Sequence, residues 1–144
     1  ESGALRVKGY KKALEKNNIE FNSDLVFEGD FKIDSGIEAM KEIIKLKPRP
    51  TAVFVGGDEM AVGAIKTIKK TGLKVPDDIS IIGFDNNIIA RVSDPELTTV
   101  AQPESEIGET AMQMLHKLIQ GEDVKEINVY LPCKLIKRES TARV

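Results

Sequence analysis

Three short apolar runs punctuate the first two-thirds of the chain: Leu25-Val26-Phe27, Ala52-Val53-Phe54-Val55 and Ile79-Ser80-Ile81-Ile82. Their centres, Val26, Phe54 and Ile82, recur evenly, close to the ~30 residues of a strand–helix–strand unit. The runs barely alternate with polar residues, as strands covered on both faces require. Between them the period turns helical. Residues 34–46 place Ile37, Met40, Ile43 and Ile44 on one side, with Ser35 and Glu38 at capping-box spacing and Pro48 and Pro50 as the stop. Residues 58–71 carry the stripe Ala61, Ala64, Ile65, Ile68, with Asp58 placed as N-cap and Gly72 just past the end. Val75-Pro76-Asp77-Asp78 reads as the turn into the third strand. A helix over residues 4–16, with Val7, Tyr10 and Leu14 on one face, precedes the first strand. The pattern predicts an α/β protein, a three-layer parallel sheet. A helix with no strand before it is an odd start for such a sheet and reads as a cut inside a larger domain.

After Phe84 the rhythm breaks. Only a short turn over residues 86–91 and a Pro95 loop separate the third strand from a fourth extended piece, residues 97–101. Pro103 then opens a helix with Ile107, Ala111, Met114 and Leu118 on one face, ended by Gly121. Two strand-like pieces, residues 127–131 and 134–137, close the chain.

At 144 residues, 41% of them hydrophobic and 31% charged, the chain suits one compact domain with its own core and is neither a disordered tail nor a fibrous repeat. No apolar run approaches the ~20 residues of a membrane span. The single cysteine, Cys133, excludes an intramolecular disulfide and fits a reducing cytoplasm. With 21 Lys+Arg against 23 Asp+Glu, the net charge of −2 makes the domain itself a poor binder of nucleic acid.

Ligands of open parallel sheets sit beyond the carboxyl ends of the strands. Those ends deliver Asp30 and Phe31, then Gly57 and Asp58, then Asp85 and Asn86, then Gln102, and Arg6 on the first helix can face the same crevice. Carboxylate and guanidinium groups pair with vicinal hydroxyls or planar anions, while a Phe ring covers the apolar side of a ring-shaped ligand. Each residue also has a plain structural reading. Asp58 is placed to cap a helix, Asp85 to cap the short turn and Asp30 to make a turn; Phe31 could be core and Arg6 a surface residue. His116 reads as a solvated side chain and Cys133 as a small buried hydrophobe. No phosphate loop, dinucleotide fingerprint, nucleophile elbow or His/Cys metal spacing is present, and no metal or cofactor is expected. Asp30, Asp58 and Asp85 admit a Mg²⁺-dependent phosphoryl-transfer reading, but Gln102 stands where that chemistry wants a lysine. A binding module is the better reading.

Several stretches together resemble the lactose-repressor family of bacterial transcription regulators: Arg6-Val7-Lys8-Gly9-Tyr10, Glu28-Gly29-Asp30-Phe31, Asp58-Glu59-Met60-Ala61-Val62-Gly63-Ala64, Val75-Pro76-Asp77-Asp78-Ile79-Ser80-Ile81-Ile82-Gly83-Phe84-Asp85 and Leu97-Thr98-Thr99-Val100, with Gln102-Pro103 beyond. The wording from Phe54 to Ala61 is most similar to the catabolite control protein branch. The resemblance implies a type I periplasmic-binding-protein fold, of which this chain is mainly the C-terminal subdomain. Residues 17–96 would form that subdomain, 97–122 the crossover toward an N-terminal subdomain and 123–144 the final strands, with the N-subdomain and the DNA-binding head absent. It implies an effector cleft formed by Arg6, Phe31, Asp85 and Gln102, with Ser2 facing it. Gly57 departs from the pattern, because sugar-binding members often carry Asn there. The implied partners are a sugar or sugar phosphate, the serine-phosphorylated phosphocarrier protein HPr, operator DNA through the absent head, and a second copy in a homodimer. Asn87, Ile88 and Ile89 are candidates for partner or dimer contact. A solute-binding receptor of a sugar transport system, with the same fold, is the alternative.

Overall fold

The computed structural model describes residues 2–124 and 127–143. Helix α1 (Ser2–Lys16) leads through a 3-10 turn at Ser23–Leu25 into α2 (Ile33–Ile43), β1 (Ala52–Phe54), α3 (Asp58–Lys70) and β2 (Ser80–Asp85). Then come α4 (Ile88–Val92), β3 (Thr98–Ala101), α5 (Glu104–Ile119) and β4 (Lys134–Ile136). The sheet runs in the order β1-β2-β3-β4. β1, β2 and β3 are parallel, in the register Phe54↔Ile82 and Asp85↔Ala101. β4 pairs antiparallel with β3, its Lys134 opposite Ala101, which corrects the wholly parallel expectation. The chain comes back from α5 at the end of β3 where β3 itself finished, so the next strand must run the other way.

The amphipathic stripes put the core where the sequence pattern requires. Ala61, Ala64, Ile65 and Ile68 of α3 are buried, with Met40 and Ile43 of α2 and the strand residues Ile79, Ile81 and Leu97. The two helices meet backbone to backbone: a Cβ on Gly36 would strike the Met60 carbonyl, and one on Gly63 the Ile33 carbonyl. Gly72 and Gly121 stand just past α3 and α5 with φ of 82° and 74°, the left-handed backbone that ends helices and that glycine adopts freely.

Other expectations fail for definite reasons. Residues 25–27 form no strand. Leu25 closes the 3-10 turn capped by Asn22, and the following extended residues face β1 across an open space of about 780 Å³ lined by Val26, Phe27, Val53 and Phe54. A strand exists only through its ladder, and among the described residues none pairs with this segment. Residues 127–131 are likewise no strand, with Tyr130 93% exposed. Cys133 is exposed rather than buried. Ser35 is no capping box. The α2 N-cap is Lys32, and the Ser35 hydroxyl donates to the Lys32 carbonyl and accepts from the Asp30 N–H. The apolar stripe of α5 buries nothing among the described residues. No helix there is long and apolar enough to cross a membrane.

Candidate functional site

Parallel register brings the carboxyl ends of β1, β2 and β3 onto one rim, so Gly56, Asp85 and Gln102 become neighbours although far apart in sequence. The first half of α1 lies against that rim and sends Arg6 across it. The Arg6 Nη1 donates to the Gly56 carbonyl, and its Nη2 stands 3.3 Å from the Asp85 Oδ1. Gln102 Nε2 donates to the same Asp85 oxygen at 2.7 Å. The Arg6 guanidinium lies 4.0 Å from the centre of the Phe84 ring and 5.2 Å from that of Phe31, a cation held between aromatic faces. Phe31 adopts a left-handed φ of 66° that turns its ring onto Gly56 and Gly57; a Cβ on Gly57 would lie 3.4 Å from it. The side chain of Asp85 is 33% exposed, so the cluster is open to a ligand from the cleft side.

The structure therefore brings Arg6, Phe31, Asp85 and Gln102 together. Ser2 begins α1, but its side chain lies outside the described residues. Asp30 does not join the group. It is an exposed turn residue whose Oδ1 accepts the Lys32 N–H, and hydrogen bonds from Ser35 and Lys32 hold its carboxyl below the usual value. Asp85 caps nothing; the α4 cap is Asn87, whose side chain accepts the Ile89 N–H at 3.1 Å. Ile88 is 65% exposed, while Ile89 is half-buried. His116 is exposed.

Asp58 is not the helix cap, and its carboxylate is taken up by protein groups. Gly57 occupies the N-cap position, and Asp58, the first helical residue, is buried with both oxygens engaged: Oδ1 by the Thr99 hydroxyl at 2.6 Å and Oδ2 by the Asn87 N–H at 2.9 Å. Burial raises its pKa above the ordinary carboxylate value. The two hydrogen bonds oppose that shift, and the charge of Asp85 adds to it. With Asp58 so engaged and Asp30 apart, the three carboxylates do not assemble a magnesium site, and no such cluster occurs among the described residues. Sequence reasoning gave no role to Phe84, the platform under Arg6, nor to Arg138, which donates to the Asn86 side chain at 2.7 Å and the Leu97 carbonyl at 2.6 Å. Phe84 carries a readable signal, an aromatic one residue before a strand-end carboxylate. Arg138 carries none, because only the fold brings the chain end back to this turn.

The cleft combines a planar cation, an acceptor and an amide beside an aromatic face. That is recognition chemistry. Residues 1–141 match the family described as periplasmic binding protein-like domain. The chain is 44% identical over 138 residues to catabolite control protein A of Priestia megaterium, covering 96% of this chain and 42% of that protein. It is 48% identical over 143 residues to the HTH-type transcriptional repressor PurR of Yersinia enterocolitica, covering 98% and 41%. The lac repressor dimer bound to operator and the anti-inducer ONPF superposes with a TM-score of 0.87 at 35% identity, over 99% of this chain and 49% of that one. The chain thus spans about two-fifths of the curated relatives it matches. With this cleft and this mostly parallel fold, the chain belongs to the periplasmic binding protein-like domain family, and it is similar to transcription regulators of the lactose-repressor type.

Proposed function

We propose that this chain is the effector-binding and dimerisation part of a cytoplasmic DNA-binding regulator of carbon metabolism, and that it catalyses no reaction. On this reading residues 17–96 form the C-terminal subdomain, residues 97–122 cross toward an N-terminal subdomain, and residues 123–144 supply the final strands. One observation carries the proposal: Arg6, Phe31, Asp85 and Gln102, from four separate segments, meet at one open rim. A ring-shaped effector such as a sugar or sugar phosphate would stack on Phe31 and exchange hydrogen bonds with Asp85, Gln102 and Arg6. Because those groups satisfy one another without ligand, binding changes how they are shared. Shared bonds of that kind let an effector bind one arrangement of the two subdomains better than the other and so shift the population.

The bare Gly56-Gly57 floor offers no side-chain amide to a sugar hydroxyl, which favours a main effector that is a protein, serine-phosphorylated HPr. The α4 surface around Asn87, Ile88 and Ile89 is then a candidate contact for that partner or for the second copy of a two-fold dimer. Isothermal titration of the complete regulator with phosphorylated HPr, glucose, cellobiose and glucose 6-phosphate tests the reading. Arg6→Ala and Asp85→Ala are expected to weaken the responding ligand while dimer and fold persist. Unchanged responses to every ligand in both variants would overturn the site assignment.

A further inference from the structure

We propose that Asp58 is a positioning residue of the cleft: through Thr99 and Asn87 it fixes the turn that aims the Asp85 carboxylate, and it does so without touching ligand. The inference rests on the effector-cleft reading for its meaning but on independent geometry for its content. Asp85 and Asn86 have φ of 110° and 58°, left-handed backbone that side-chain-bearing residues rarely adopt and that persists only where the surroundings impose it. Asp58 is the centre of those surroundings. The Asn87 N–H donates to its Oδ2, while the Asn86 N–H donates at 3.3 Å to the Thr99 hydroxyl, which in turn donates to its Oδ1. Both amides that follow Asp85 are thereby tied to one buried carboxylate.

The fold reserves the place for it. A Cβ on Gly83, in β2, would collide with the Asp58 Oδ1 and stand 2.8 Å from Leu97 Cδ2, so the strand carries glycine where the carboxylate inserts. Arg138 holds the same turn from its other side through the Asn86 side chain. Because Asn87 also caps α4, Asp58 joins the cleft carboxylate, the start of α3 and the exposed α4 face into one rigid unit. Movement of Asp85 on ligand binding is then conveyed to α4.

The test is ¹⁵N NMR of the chain, reading the Asn86 and Asn87 amides and the side-chain amide of Gln102, whose bond to Asp85 reports the carboxylate's aim. In Asp58→Ala the turn relaxes, the Asn87 amide exchanges at least tenfold faster, and the Gln102 signal moves toward that of a free amide. Asp58→Asn keeps an oxygen for the Asn87 N–H and presents its amide to the Thr99 hydroxyl, so it restores both signals. Thr99→Val, which removes only one arm, serves if Asp58→Ala does not fold, and is expected to shift the Asn86 and Gln102 signals. Folded variants with native Asn87 and Gln102 signals, differing only in melting temperature, would overturn the proposal. Titration with glucose 6-phosphate and cellobiose is the second arm: where the native regulator binds, Asp58→Ala weakens binding about tenfold and Asp58→Asn under threefold. Native protein binding neither sugar counts against a sugar effector and leaves the NMR result to decide the role of Asp58.

Discussion

Gly63 and Gly108 sit inside helices, and the same change to alanine is expected to have opposite signs at the two. Replacing a helix-interior glycine removes backbone entropy from the unfolded chain and gains about 1 kcal/mol where space allows. At Gly108, in α5, a new Cβ meets nothing within 4 Å, so Gly108→Ala is expected to stabilise by nearly that amount. At Gly63 the Cβ lands on the Ile33 carbonyl, 3.1 Å from its carbon and 3.2 Å from the Ile37 nitrogen. Those atoms are backbone of α2, so no rotamer change relieves the clash and the two helices must separate. Overpacking of that kind costs up to ~3 kcal/mol, which leaves a net loss near 2 kcal/mol after the entropic gain. Urea unfolding at fixed pH measures both variants, and a chain of this size should lose about 4–8 °C of melting temperature for the Gly63 change. A stabilised Gly63→Ala chain would refute the close α2–α3 contact on which the core description rests.

Gly57 has an extended φ that any residue adopts, and a Cβ there fits at 3.4 Å from Phe31 and 3.8 Å from Asp85. Gly57→Asn is therefore expected to fold and, by adding one hydrogen bond worth ~1 kcal/mol, to raise sugar affinity about fivefold by calorimetry. Burial raises the Asp58 pKa, so the folded chain binds its proton more tightly than the unfolded one. Stability then falls as pH rises from the unfolded value of about 4 through the raised folded value, and Asp58→Asn should flatten that slope in urea titrations across pH. An unchanged slope would deny that the buried carboxylate titrates in this window. Ile88→Asp places a charge on the exposed α4 surface and is expected to weaken dimerisation or HPr binding in sedimentation and pull-down measurements while leaving the unfolding free energy within about 0.5 kcal/mol of native. Loss of neither interaction removes α4 from both roles.

Residues 17–96 were largely legible because each helix there carries its own period and stop signals. The α3 stripe of Ala61, Ala64, Ile65 and Ile68 is buried as its spacing requires, and Gly72 ends the helix. The strand-end rule also placed Asp85 and Gln102 on one rim, since parallel strands must present their ends together, whereas Phe31 reaches that rim from a loop and Arg6 from α1. Asp58 was misread because local spacing favours a cap, while its partners, Thr99 and Asn87, are distant in sequence. The run at residues 25–27 looks like a strand by composition but has no neighbour to complete a ladder. The antiparallel course of β4 was equally hidden.

Amphipathic period, turn residues and helix stops are properties of neighbouring residues, so the sequence by itself determined the α/β alternation, most of the core and the rim where recognition residues gather. Which side chains bond across that rim was decided only by the tertiary structure. The Arg6–Asp85–Gln102 sharing, the Phe84 platform, the Asp58 strut and the direction of β4 all depend on separations of many residues closed by packing. No local pattern encodes a partner that the rest of the chain has yet to bring near.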